Sequence, residues 1–113
     1  MIPTELRDII VALLQKTRAG EARWHETKFA IRRDVNIHLG PYALQLYEEH
    51  RDAITIALQS ETFVDLLRCT VKSSEPDWQL VSELLDEAQH RAANVGGVLS
   101  DVRRLVEQAG PVG

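Results

Sequence analysis

The sequence predicts an α+β domain: a three- or four-stranded antiparallel meander packed on one face by an N-terminal helix and two C-terminal helices. Three observations carry this expectation. Apolar residues from 3 to 18 recur at helical spacing, residues 23–59 change to a period of two, and the chain beyond Pro76 returns to helical spacing. At 113 residues the chain should form a single domain, long enough to bury a core without disulfide or metal staples. The expected layout is helix over 1–19, antiparallel sheet over 23–59, a helical region over 60–109 and a frayed tail over 110–113.

In the first helix Leu6, Ile9, Ile10, Leu13 and Leu14 make one apolar stripe. Thr4 is the expected N-cap, with Glu5 and Asp8 at the positive end of the helix dipole and Lys16 and Arg18 at the negative end. Gly20 is placed to take the left-handed position that closes a helix.

After Gly20 the alternation begins. Phe29 and Ile31 alternate with Lys28, Ala30 and Arg32, and Val35, Ile37 and Leu39 alternate with Asn36 and His38. Gly40-Pro41 breaks the run, after which Tyr42, Leu44 and Leu46 alternate with Ala43, Gln45 and Tyr47. "EEHRD" reads as a polar turn before Ile54, Ile56 and Leu58 alternate with Thr55, Ala57 and Gln59. Such a pattern describes an antiparallel sheet with one wet face.

Residues 60–76 carry a mixed signal. Phe63, Leu66, Leu67 and Val71 suit a helix capped by Ser60, whereas the β-branched Thr70 and Val71 oppose it; helix is the expectation. Farther on, Trp78, Val81, Leu84, Leu85, Ala88 and Ala92 form a clear stripe, and Val95, Val98, Leu99, Val102, Leu105, Val106 and Ala109 form another. One helix running through both would be roughly 50 Å long at about 1.5 Å per residue. A domain of this size has a radius of gyration of roughly 13 Å. A break near Asn94, at "NVGG", is therefore expected, so that both helices pack on one core.

Composition limits function. The net charge is -4 and acids are interleaved with bases, so the chain lacks the basic stripe that a nucleic-acid partner requires. No apolar run approaches the roughly 20 residues of a membrane helix, and "IIVALL" followed by "QKTRAGEAR" is no signal-peptide pattern. The lone Cys69 excludes an internal disulfide and suits a reducing compartment. A cytoplasmic protein, with neither nucleic acid nor membrane as partner, is the expectation.

No motif assembles a reactive site, so no catalytic, cofactor-binding or metal-ligating residue is assigned and no cofactor is implied. His25 and Glu26 are neighbours on a strand and should point to opposite faces. His38, His50 and His90 fall on separated segments, whereas a metal ion needs three or four convergent ligands. Cys69 lies among Leu66, Leu67 and Val71 without an activating base. "NVGGVLSD" lacks the preceding strand and the lysine of a phosphate loop. Trp24 and Trp78 are expected to pin the helices to the sheet.

The outer face of the sheet is the most informative surface. Its expected residues are Ala30, His38, Ala43, Gln45, Tyr47, Thr55 and Ala57, with Lys28, Asn36 and Gln59 beside them. Small side chains around a rigid amphipathic tyrosine suit a contact with another protein. Glu48, Glu49 and Asp52 would flank the face as an acidic turn.

The segments "LLQKTRAGEARWHET" and "LLDEAQHRAANVGGVLSDVRRLVEQ", with short strands between them, give the chain a shape that resembles a group of small bacterial α+β accessory domains. The matching positions are Thr17, Gly20, Trp24, Ala92, Ala93 and Leu99, all structural. The resemblance implies an interaction module, alone or fused to an effector, and carries over no catalytic residue. A non-enzymatic interaction or regulatory accessory domain is thus expected, self-associating as a homodimer through the outer sheet face. The alternative is an acidic partner-neutralising protein of chaperone, antitoxin or immunity type that binds a basic partner. A small ligand- or metal-binding enzyme using His25 or His38 ranks third.

Overall fold

The computed structural model describes residues 2–28, 30–62, 64–93 and 98–111, with backbone alone for 98–101. Its elements are α1 (Thr4–Arg18), β1 (His25–Glu26), β2 (Asp34–Leu39), β3 (Tyr42–His50), β4 (Ala53–Ser60), β5 (Asp65–Lys72), α2 (Trp78–Ala93) and α3 (Val98–Gln108). The strands form one antiparallel sheet in the order β1-β2-β3-β4-β5. The α+β expectation holds, with five strands where three or four were expected.

α1 begins one residue earlier in its cap than its sequence suggests. Pro3, extended at φ -60 and ψ 148, is the N-cap, and Thr4 is already helical. A proline at this boundary sacrifices no helical hydrogen bond, because the first N–H groups have no partner within the helix. The other end follows expectation. Gly20 takes φ 75, its N–H donates to the Thr17 carbonyl at 3.1 Å, and the Glu21 N–H donates to Lys16 at 2.8 Å. This paired arrangement satisfies two orphan carbonyls and needs a residue tolerant of positive φ. Thr17 is buried, donating to the Leu13 carbonyl (2.6 Å) and accepting from the Trp24 indole N–H (2.9 Å). Trp24 thereby pins the chain leaving α1 into the core.

The sheet starts differently from its expected form. Residues 30–33 are irregular, Ile31 is 99% exposed, and Phe29 lies outside the described residues. The physical reason is a closed loop. Thr27 donates to the Asp34 backbone carbonyl at 2.9 Å and to its side chain at 2.8 Å, so the ladder opens between those residues and His25 pairs with Asn36 instead. Farther along, Gly40 at φ 61 and Pro41 form a two-residue loop between β2 and β3. The expected polar turn "EEHRD" shrinks to Arg51-Asp52, with Glu48, Glu49 and His50 inside β3.

The helix expected within 60–76 is also corrected. Asp65–Lys72 is strand β5, paired with β4 from Ala53↔Lys72 to Gln59↔Asp65. Phe63, part of the supposed helical stripe, lies outside the described residues. Thr70 and Val71 were the informative residues: their β-branched side chains stand opposite Thr55 and Ile54 in the ladder. A register shift at Leu58/Gln59 puts Leu66 and Leu67 beside one another without alternation, which imitates helical spacing.

Val35, Ile37, Leu44, Leu46, Ile54, Ile56 and Val71 form the inner face of the sheet. Against them pack Leu6, Ile10, Leu13 and Leu14 of α1 and Val81, Leu84, Leu85 and Ala88 of α2. Asp77, buried just before α2, ties the two helices' starts together by accepting from Arg7 Nη1 (2.8 Å) and from the Ile2 N–H (3.3 Å).

No described residue of α3 belongs to the core, and its Val102, Leu105 and Val106 are about half exposed or more. The molecule measures 56 × 30 × 27 Å with a radius of gyration of 16.2 Å, longer than a compact chain of this length. The break expected near Asn94 and the end of the expected frayed tail (112–113) lie outside the described residues.

Candidate interaction surface

Register places the outer-face residues side by side. His38 stands opposite Ala43, Gln45 opposite Ala57, Ala43 opposite Gln59 and Tyr47 opposite Thr55. Six of the seven residues expected on this face are therefore neighbours there. Ala30 is not: it sits in the irregular segment and lines a cleft with Gln89 and Ala92 of α2. It left the surface because the strand containing it does not form.

The face has two tiers. Ala43, Thr55 and Ala57 are buried but stand outside the core cluster. Longer side chains stand beside them in register: Gln59 opposite Ala43, Gln45 and Arg68 on either side of Ala57, and Tyr47 opposite Thr55. Gln45, Tyr47, Gln59 and Arg68 rise above and join in a chain of hydrogen bonds. Gln45 Nε2 donates to Asp34 Oδ1 (3.0 Å), Gln59 Nε2 donates to Asp65 Oδ1 (3.0 Å), and Arg68 Nε donates to Asp65 Oδ2 (2.8 Å). Arg68 also donates to the Tyr47 hydroxyl, with its guanidinium 5.9 Å from the ring centroid. Below them the hydroxyls of Thr55 and Thr70 meet at 2.8 Å.

Charge is balanced within this network. The Gln59 amide and the Arg68 guanidinium hold the Asp65 carboxyl below its usual range, and Asp65 and Tyr47 hold Arg68 above its own. The arrangement is a hydrogen-bonded sheet surface with one aromatic ring and one cation able to bond in bidentate fashion. Reading β5 as helix hid Asp65, Arg68 and Thr70 from the sequence-based face. Their β-branched neighbour Val71 and the alternation Arg68-Cys69-Thr70-Val71 were the available signals.

The acidic turn is dispersed. Glu48 shares the inner-face parity of Leu44 and Leu46, and its carboxylate accepts from Arg33 Nε at 2.6 Å. Arg33 also pairs with Asp86 of α2. Glu49 and Asp52 enter through their backbone carbonyls, the first accepting from Arg32 (2.6 Å) and the second from the Ser73 N–H (2.9 Å). Glu48 thus stabilises the sheet–helix joint and does not flank the outer face. Only register could reveal this, since Arg33 is 15 residues away in sequence.

Two histidines come together that their sequence positions kept apart. The rings of His25 and His38 meet edge to face, with centroids 6.1 Å apart, because His25 pairs with Asn36, two residues before His38. Glu26 points away, accepting from Gln89 of α2. Beside the histidines lies an open cleft of about 610 Å³ with Leu13, Ile37 and Leu39 among its walls. Among the described residues, no group of three or more His, Cys, Asp or Glu side chains is placed to hold a metal ion. Nor is any helix among them long and apolar enough to cross a membrane.

Fold and surface together define a two-layer α+β domain with helices on one face of a five-stranded meander. Comparison with protein-family models, with curated proteins and with solved structures finds no match.

Proposed function

We propose that this chain is a non-enzymatic interaction or regulatory accessory domain that presents the outer face of its sheet to a protein partner. The observation that supports this is the two-tier face: buried small residues beside the hydrogen-bonded side chains of Gln45, Tyr47, Gln59 and Arg68. A side chain already held in place loses little conformational freedom on binding, which lowers the cost of association. The acidic composition and the resemblance to bacterial accessory domains fit the same reading, as does a cytoplasmic setting.

Tyr47→Arg tests it. The variant sets a second cation beside Arg68 and removes the ring, so partner capture should weaken at least tenfold while the thermal transition stays cooperative. Unchanged capture would remove the outer face from the reading. The partner-neutralising alternative draws on Glu49 and Asp52, with Glu48 already engaged by Arg33. Its signature is binding that collapses with rising ionic strength, whereas a Tyr47-centred contact persists.

A further inference from the structure

The two edges of the sheet are unequal. β1, at one edge, is two residues long, and β5, at the other, is eight. β5 pairs only with β4 among the described strands, so one side of its backbone has no strand beside it. Six of its eight residues are exposed, including Leu66 at 53% and Leu67 at 37%. Long apolar edges invite another strand, and monomeric proteins usually protect them with proline, charge, bulges or a covering element. β5 contains no proline, and its charges are Asp65, Arg68 and the terminal Lys72. Its bulge is confined to the Leu66 end, and at the other end the Lys72 N–H donates to Glu75 Oε1 at 3.3 Å.

We propose that β5 is a homodimer edge: two copies pair antiparallel through it, about a two-fold axis at Cys69, to make one ten-stranded sheet. The occupant follows from self-complementarity. A two-fold perpendicular to the sheet keeps the inner faces on one side only if residues of the same face meet across it. An axis at Arg68 would set Arg68 against its own copy, and an axis at Thr70 would set Arg68 against Lys72. Like charges directly opposite are unfavourable. An axis farther toward either end leaves less of the strand paired.

An axis at Cys69 avoids both conflicts. Leu67 then faces the partner's Val71 on the inner side, and Arg68 faces the partner's Thr70 on the outer side. Leu66, exposed in the single chain, comes opposite the partner's Lys72, whose aliphatic stem can cover it. Each Arg68 stays turned toward its own Asp65. The two outer faces become one continuous platform, so the inference does not depend on which protein meets that face.

The geometry also brings the two Cys69 residues opposite one another, within the Cα separation a disulfide tolerates. That supplies a direct test on the full chain. Light scattering over a concentration series should show a mass near twice 12.8 kDa. Under dimer-forming conditions diamide should cross-link the pair: two thiols release two protons and two electrons, diamide takes them up, and one S–S bond forms.

Leu66→Lys places lysine against Lys72 and should weaken dimerisation at least tenfold. Tyr47→Arg should leave the dimer intact while it weakens outer-face capture, which separates failure of this inference from failure of the functional reading. A dimer that survives Leu66→Lys but is lost in Tyr47→Arg would overturn the edge in favour of the face. A monomer at every concentration would overturn it outright. Hydrogen exchange on the unaltered protein guards against a misfolded variant: β5 amides should slow as concentration rises, and concentration-independent exchange refutes the proposal.

Discussion

The two faces of this sheet are built from the same strands and obey different physics. On the inner face, Leu44, Leu46, Ile54 and Ile56 are buried by α1 and α2, and removal of apolar surface from water holds them there. On the outer face, Ala43, Thr55 and Ala57 are also buried, yet the side chains that flank them in register are polar and bonded to one another. Burial alone therefore does not mark the core. The inner face tolerates no polar group without a partner, whereas the outer face is made of partnered polar groups and remains open to another molecule.

The largest expected effect is on the inner side. Leu46→Ala leaves a cavity in the core between sheet and helices and should cost about 2–5 kcal/mol in urea unfolding. Truncating its outer-face neighbour Tyr47 to alanine should cost clearly less in the same assay. If the two were equal, the outer layer would be part of the core and the distinction between the faces would fail.

A smaller loss is expected from Thr17→Val, which strands the Trp24 indole N–H in the core. An unsatisfied buried donor of this kind costs roughly 1–3 kcal/mol, and Trp24→Phe in the same background should recover part of it. Absence of recovery would mean that the valine acts through its shape, not through the lost acceptor.

On the outer face the Thr55–Thr70 pair should behave as a coupled unit. Each single change to valine should cost about 1 kcal/mol, the double change less than their sum, because removing both hydroxyls leaves neither unpaired. Strict additivity would show that the hydroxyls do not bond to each other in solution.

The smallest effect concerns Asp65. Its folded pKa is depressed by Gln59 first and by Arg68 second. Its contribution to stability is present above the pKa of an unfolded aspartate and is lost as pH falls through the folded value. NMR titration should find Asp65 below an ordinary aspartate, returning toward normal in Gln59→Ala. An unshifted wild-type value would remove the outer network from the picture, with consequences for Tyr47 and Arg68 as well.

The elements were legible where one period ran uninterrupted. α1 and α2 announced themselves through i, i+3, i+4 spacing, and β2, β3 and β4 through alternation, because each lies half in and half out of a single core. The misreadings share a cause. Ile31 extends an alternating pattern yet lies in solvent, since the Thr27–Asp34 bonds close the loop before it can pair. β5 is an edge strand with a register shift, so it is exposed on more sides and its apolar spacing is irregular. α3 shows an apolar stripe as regular as that of α2, but a stripe states what a helix can bury and not whether something covers it.

By itself the sequence determined the fold class, the course of α1, the β2–β4 meander and α2, and which residues of those strands share a face. Alternation and helical periodicity are local properties, written into residues a few positions apart. Only the tertiary structure decided that Arg33 would claim Glu48, that His25 would meet His38, and that Arg68 would reach Tyr47 from a strand 21 residues on. Those meetings depend on register between strands, and register is set by loop closure, bulges and the burial of the whole inner face together.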